Sequence, residues 1–330
     1  DCIPQIGFIH RGLEKLVETR DYNQFIYIAE RICGICATGH SIGYAETVES
    51  LMGVEVPKRA EYLRIIWHEL SRVHSHLLWL GLAADAFGFE SMFMHCWRLR
   101  ERVLDLFEKT TGGRVILSVV KVGGVVRDID ATQMAEIIAV LDGLKDDYTK
   151  IMNTLLTDTS VKNRTVGVGH ISTEDARSLS MVGPFARASN LPYDVRSFGK
   201  GAYGDLADFQ PIVATEGDCY ARVKVRCLEV LQSIEIIKEL AAKIPAGDIE
   251  VAVKGAPADG AQASNVLEQP RGECYYYARG NGSKNLERMR IRTPTSQNLA
   301  GMTVALKGCD LADVNMIILT IDPCISCTER

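Results

Sequence analysis

Four of the ten cysteines form two Cys-x-x-Cys steps, Cys33 with Cys36 and Cys324 with Cys327. Thiolates are soft ligands, and a two-residue spacer turns both sulfurs of a step toward one ion. Two steps can therefore close a four-sulfur site. Spacing leaves the occupant open, because structural zinc, an iron–sulfur cluster and a redox-active dithiol all use this step. Zinc knuckles usually lie close together in sequence, whereas almost the whole chain separates Cys36 from Cys324. The tail must fold back onto the start. Cys2, Cys96, Cys219, Cys227, Cys274 and Cys309 are scattered singly, as in a reduced chain whose paired thiols bind metal.

The elements that position these pairs read mostly as long helices. Asp21–Arg31 carries Phe25, Ile28 and Ala29 on one face, and Ser41 caps a helix running to Leu51. Pro57 opens the next helix, in which Leu63, Ile66, Leu70, Val73, Leu77 and Leu80 recur at three and four over about seven turns. Glu90–Thr111 follows, then a β-branched strand and turn at Val115–Val126. Asp130 caps a helix to Leu156, and Thr173 caps a shorter one ending before Pro184. Asn190–Gln210 is irregular, Gly217–Ile244 is helix, and Pro257–Gln269 is loop. Gly272–Arg279 and Arg288–Arg292 read as a hairpin around Gly280-Asn-Gly-Ser283, with the Tyr275-Tyr-Tyr277 run half-buried in it. Ser296–Lys307 and Asp310–Ile321 lead into the second cysteine pair. The expected fold is mainly α (α+β), a long-helix bundle core with small β-hairpin attachments. No repeat or linker divides the chain, so 1–330 reads as a single domain.

Composition narrows the class. The 330 residues are 47% hydrophobic and 24% charged, ordinary for a globular chain with a large core. A net charge of −5 gives no reason to expect nucleic acid. The best apolar run, Val314–Ile321, is too short to span a bilayer. The opening at Asp1-Cys-Ile-Pro, without Met or a signal-peptide pattern, suggests that an N-terminal piece is missing.

The flanks of the cysteines say more. Glu30-Arg-Ile-Cys-Gly-Ile-Cys36 with His40, together with Asp322-Pro-Cys-Ile-Ser-Cys-Thr328, resembles the two motifs of the large, catalytic subunit of nickel–iron hydrogenases. Gly7-Phe-Ile-His-Arg-Gly-Leu-Glu-Lys15 is similar to the membrane-linked, energy-converting group, which is related to the quinone-side subunit of respiratory complex I. The resemblance implies that all four cysteines bind nickel. Cys33 and Cys324 would be terminal, and Cys36 and Cys327 would bridge to an iron carrying carbon monoxide and cyanide. It implies reversible dihydrogen oxidation or proton reduction, with Cys324 taking the proton.

Further roles follow from the resemblance alone. Arg271, in Pro270-Arg-Gly272, would hang over the metals with Asp322 as its partner, and Asp85 would add a second carboxylate. Pro294 and Thr295 would hold a cyanide, and His40 would hydrogen-bond a bridging sulfur. Glu14 would hold an auxiliary magnesium or join a proton network, while the proton-gating glutamate would lie in the missing N-terminal piece. Ending at Arg330, where many relatives have His, would mark a trimmed, mature tail. His74 and His76 diverge on a helix and read as core or interface groups.

Implied partners are a small iron–sulfur subunit, antiporter-like membrane subunits, and ferredoxin or a formate- or carbon monoxide-oxidising enzyme. They place the chain peripherally on the cytoplasmic side of the membrane. Two other readings compete. One is a complex I-like quinone-module scaffold subunit without metal, against which the four retained cysteines count. The other is a structural zinc protein, which would need no arginine over its site.

Overall fold

Helices in this chain start where the sequence supplies caps. The computed structural model describes residues 2–330, so Asp1 lies outside the described residues. After one turn, α1 (Leu13–Leu16), the Asp21 carboxylate accepts the Asn23 amide and opens α2 (Tyr22–Glu30). α3 (Ala37–Met52) begins directly on the first cysteine pair. Cys36, not Ser41, is its N-cap residue, and the Ser41 hydroxyl donates to the Thr38 carbonyl inside the helix. Pro57 precedes α4 (Lys58–Ala86), whose 29 residues make about eight turns. α5 (Glu90–Thr111) keeps its expected bounds.

The stretch 115–126 holds only a two-residue ladder, β1 (Val120–Lys121) with β2 (Gly124–Val125). Asp130 and Gln133 form a reciprocal capping box at the head of α6 (Ala131–Thr157). Three short helices follow: α7 (Thr159–Thr165), α8 (Thr173–Ser178, capped by Ser172 and not Thr173) and α9 (Gly183–Arg187). Asp218 caps α10 (Cys219–Lys243).

The expected two-stranded hairpin is a three-stranded antiparallel sheet, β3 (Gln262–Gln269), β4 (Gly272–Gly280) and β5 (Leu286–Arg292), in that order. The segment 257–269 reads as loop because β3 has little apolar alternation. Its polar half, Asn265, Glu268 and Gln269, is nevertheless buried, so pairing and buried charge set this strand more than local propensity does. α11 (Pro294–Leu306), α12 (Val314–Ile321) and the single turn α13 (Ile325–Thr328) complete the chain. Among the described residues no helix is long and apolar enough to cross a membrane.

α4 is the central beam, packed against α5 and α10, while α3 lies on β3 and β4. Gly43 makes the second contact possible: a Cβ there would fall 2.2 Å from the Tyr276 ring. Around α4 runs a buried ionic network with fully inaccessible side chains. Glu69 meets Arg72 at 3.2 Å and Arg196 at 3.4 Å. Arg187 reaches Asp194 (3.2 Å), Glu229 (2.7 Å) and Glu268 (2.8 Å), and Glu229 also meets His76 at 2.8 Å. His76 is thus a paired core group.

Packing and burial each carry an expectation. Gly43→Ala should lower the unfolding free energy by about 1–3 kcal/mol through overpacking; an unchanged urea midpoint would contradict the α3–β4 contact. The second expectation concerns pH. Burial brings His68 to about 4 and His74 to about 3, whereas an unfolded His titrates near 6.5. Between those values the unfolded chain binds protons that the folded chain does not, so stability should fall as pH drops from about 6.5 toward 4. Burial alone would raise Glu69 and Glu229, but Arg72 and Arg196, and Arg187 and His76, hold them low. The loss should therefore continue below pH ~4.5. Urea midpoints that stay flat or rise over that window would overturn this account.

Candidate metal centre

The first cysteine pair fills the break between α2 and α3, with Cys36 at the α3 N-cap, where the helix dipole favours a thiolate. The second pair caps and enters α13. All four sulfurs are buried. Cys33 Sγ lies 3.4 Å from Cys324 Sγ, and Cys36 Sγ lies 3.5 Å from Cys327 Sγ. The sulfurs of Cys33, Cys324 and Cys327 lie within 4.8 Å of one another, as do the ligand atoms of Cys36, His40 and Cys327. A tetrahedral four-sulfur site with metal–sulfur bonds of about 2.3 Å has edges of about 3.8 Å, so this donor set fits a thiolate-bound metal.

The thiols act on one another. A hydrogen bond to Cys324 brings Cys33 down to about 7, and one to Cys327 brings Cys36 down to about 6. Hydrogen bonds to Cys324, Cys33 and Cys36 push Cys327 up. The protons are shared across the cluster rather than owned by single residues.

Several groups hold the two loops together. The Arg11 guanidinium donates to the Arg31 (3.0 Å), Ile32 (2.9 Å) and Ser326 (3.1 Å) carbonyls, bridging both pairs. The Cys324 amide donates to Thr295 Oγ1 at 3.0 Å, and the Thr293 hydroxyl donates to the Cys327 carbonyl at 2.9 Å. Pro294 is buried in the first turn of α11 between them. Arg226, stacked 4.5 Å over Trp79, donates to the Thr320 and Ile321 carbonyls and so caps the end of α12. Asp322 then takes a left-handed turn (φ 61°) into Pro323 and Cys324.

Arg271, in the turn between β3 and β4, donates from Nε to the Asp322 carbonyl (3.0 Å) and from Nη2 to Asp322 Oδ1 (2.8 Å). Burial works against its charge, but Asp322 and the Cys324, Cys36 and Cys33 thiolates outweigh it. Arg271 thus faces the sulfur cluster as a fixed cation. Burial pushes the Asp322 carboxyl up, against the pull of Arg271 and Arg226, and its Oδ2 is buried without a partner. Asp85 is exposed near the end of α4, so nothing shows the second carboxylate expected over the metals.

His40 places Nε2 at 3.4 Å from Cys327 Sγ and Nδ1 at 2.8 Å from Tyr276 Oη. Glu14 sits beside the tail. Its carboxylate accepts from Arg330 Nε (3.2 Å), Arg290 Nη1 (3.1 Å) and the Ile291 amide (2.9 Å). These partners are cations and an N–H, and the described His, Cys, Asp and Glu side chains group as ligands only around the cysteines. Magnesium does not fit here, because the Arg330 guanidinium occupies the place of a cation. Arg11 and Tyr276 are site residues that the sequence does not single out. Arg11 lies inside the Gly7–Lys15 motif that could have pointed to it, whereas the tyrosine run signals only a strand.

Comparisons with known proteins give the chain's family. Residues 86–258 and 250–330 match the family described as respiratory-chain NADH dehydrogenase, 49 Kd subunit, and residues 11–83 match nickel-dependent hydrogenase. The carbon monoxide-induced hydrogenase of Rhodospirillum rubrum is 37% identical over 98% of this chain and 90% of its own length. The alpha subunit of the membrane-bound hydrogenase of Pyrococcus furiosus is 36% identical over 99% of this chain and 80% of its own length. One subunit of the F(420)H(2) dehydrogenase of Methanosarcina mazei is 36% identical over 100% of this chain and 90% of its own length. The chain belongs to the oxidoreductase family that unites energy-converting hydrogenase large subunits with the 49 Kd subunit of respiratory-chain NADH dehydrogenase.

Proposed function

We propose that this chain is the catalytic large subunit of a nickel–iron hydrogenase, interconverting dihydrogen with protons and electrons. The observation that carries the reading is the convergence of four buried sulfurs beneath the Arg271–Asp322 pair. Cys33, Cys36, Cys324 and Cys327 would together hold the nickel and an iron bearing carbon monoxide and cyanide. When bound, the centre would supply the two-electron chemistry of dihydrogen cleavage and formation.

The chain's own residues do the rest. Arg271 holds positive charge over the open face, and Asp322 fixes its orientation through two contacts. Thr295, accepting from the Cys324 amide, keeps its own hydroxyl hydrogen available to an anionic ligand at the start of α11. Cys324 Sγ lies 3.2 Å from Ser326 Oγ, which offers a first step for a proton leaving that sulfur. Glu14, tied to the tail by Arg330, holds the closing loop in place.

Electrons need a carrier beyond these cysteines. Exposed Phe8, Ile9 and Ile325, on segments joined through Glu329, give apolar surface near the site for a small iron–sulfur subunit. The names of two relatives, a membrane-bound hydrogenase and a formate hydrogenlyase, support a place in a membrane-associated assembly and a formate-linked electron source; ion-pumping subunits, a ferredoxin or carbon monoxide link and a peripheral position on the cytoplasmic face complete the proposal.

One observation favours a second reading, a quinone-module scaffold without catalytic metal: the NADH dehydrogenase match covers most of the chain. Elemental analysis and infrared spectroscopy of the purified subunit separate the two. Nickel and iron near one each, with carbonyl and cyanide bands, are expected; zinc or no metal, without such bands, overturns the hydrogenase reading. Cys327→Ser should lose both the metals and dihydrogen turnover, and normal activity would reject the ligand assignment. Arg271→Lys should keep the metals but slow turnover about 10²-fold or more, as when one preorganised donor is lost. An unchanged rate would remove Arg271 from the mechanism.

A further inference from the structure

Tyr276 is fully buried in the middle of β4, and its hydroxyl hydrogen-bonds the side chains of His40 and Gln269, with the Cys274 thiol as a further neighbour. His40 Nδ1 lies at 2.8 Å, and the Gln269 amide nitrogen donates to it at 3.3 Å. On the far side of the imidazole, Nε2 faces Cys327 Sγ at 3.4 Å. The buried ring contacts a hydroxyl and a sulfur but no carboxylate, which suits a neutral imidazole with one hydrogen, on one nitrogen or the other.

Each contact constrains the next. A metal-bound thiolate offers only lone pairs, so the hydrogen facing Cys327 must be Nε2–H. Nδ1 is then bare, and the Tyr276 O–H fills it. The tyrosine oxygen, having given its only hydrogen, accepts from Gln269. Donation therefore runs in one direction, from Gln269 through Tyr276 and His40 to Cys327. With Gln269 as a donor to Tyr276, the hydroxyl hydrogen is left for Nδ1, so the same form is expected before metal is loaded.

The packing is cut to fit this chain of donors. A Cβ at Gly39 would stand 3.1 Å from Gln269 Cγ, and one at Gly43 would stand 2.2 Å from the Tyr276 ring. These glycines sit one turn apart on α3, in the helix that carries Cys36 and His40. They open a groove that admits both side chains to the imidazole.

We infer that Tyr276 is a positioning residue whose hydroxyl, backed by Gln269, fixes His40 in the Nε2–H form and thereby sets the hydrogen bond on the Cys327 sulfur. The inference rests on the reading of Cys327 as a metal thiolate, and its test has one arm that needs no metal. In the metal-free full-length chain labelled with 15N-histidine, the His40 ring resonances are assigned with a His40→Gln chain. The ring hydrogen should be on Nε2, and Tyr276→Phe should move the Nδ1 resonance toward that of an unbonded nitrogen. A hydrogen on Nδ1 in the parent chain, or an unmoved Nδ1 in the variant, overturns the inference.

In the assembled complex, Tyr276→Phe should leave nickel and iron content unchanged. It should shift the carbonyl and cyanide bands to lower wavenumber, because a weaker N–H···S bond leaves more electron density on the metals. Gln269→Leu, which spares the tyrosine packing, should shift them the same way by less. Fully loaded variants with unshifted bands overturn the inference. If the parent complex shows no such bands, the hydrogenase reading fails, and the 15N arm still decides the role of Tyr276.

Discussion

Four sulfurs held in contact inside a protein are the constraint around which the rest of this molecule is arranged. Hydrogen bonds from neighbouring thiols favour the thiolate forms of Cys33 and Cys36, and buried like charges cannot sit side by side without a cation. The protein supplies one such charge permanently, as Arg271, and leaves the rest to whatever the sulfurs bind. Arg271 in turn would be an uncompensated buried cation without Asp322. Asp322 is aimed by an unusual left-handed turn, and Arg226 anchors the helix end just before it. Each element near the site thus answers a need created by its neighbour.

The buried ionic network around α4 extends the same logic outward. Glu69, Arg187, Glu229 and Glu268 tie α4, α10 and β3 together through charge-assisted bonds. Those three elements carry or adjoin Ser75, Arg226, Gln269 and Arg271, which approach the site from different directions. Removing one partner of a buried pair typically costs about 3–5 kcal/mol, so the network resists relative sliding of the site's walls. Apolar packing alone, which tolerates rearrangement at roughly constant volume, would hold them less strictly.

Much of this is legible in the sequence, for reasons that differ by element. α5 and α6 declare themselves through long apolar periods and good caps at their ends. β3 does not, because its buried positions are polar and its partners lie across the sheet and on α9. Ser41 looks like a cap yet sits inside α3, since the cysteine loop starts that helix four residues earlier. At the site, the four cysteines and Arg271 stand in recognisable motifs, and the structure brings them together. Arg11, Tyr276 and the buried ion network act through distant contacts that no local pattern encodes. Motif alone gives Glu14 an auxiliary magnesium or a proton network, and only the folded tail shows three guanidinium groups near its carboxylate.

The equal spacing of the sulfur contacts has a consequence of its own. Cys33 with Cys324, and Cys36 with Cys327, are each 291 positions apart, so an ion shared by the pairs is a clasp on a loop that encloses nearly the whole fold. Closing a flexible loop of that length costs about 5 kcal/mol of chain entropy, comparable to what a disulfide over a long loop offsets. Neither half of the clasp supplies four sulfurs alone, and the two halves meet only when the chain folds back on itself. Loading of such a centre would therefore report that the elements between the pairs have brought both halves together, and once loaded, the centre would help keep them there.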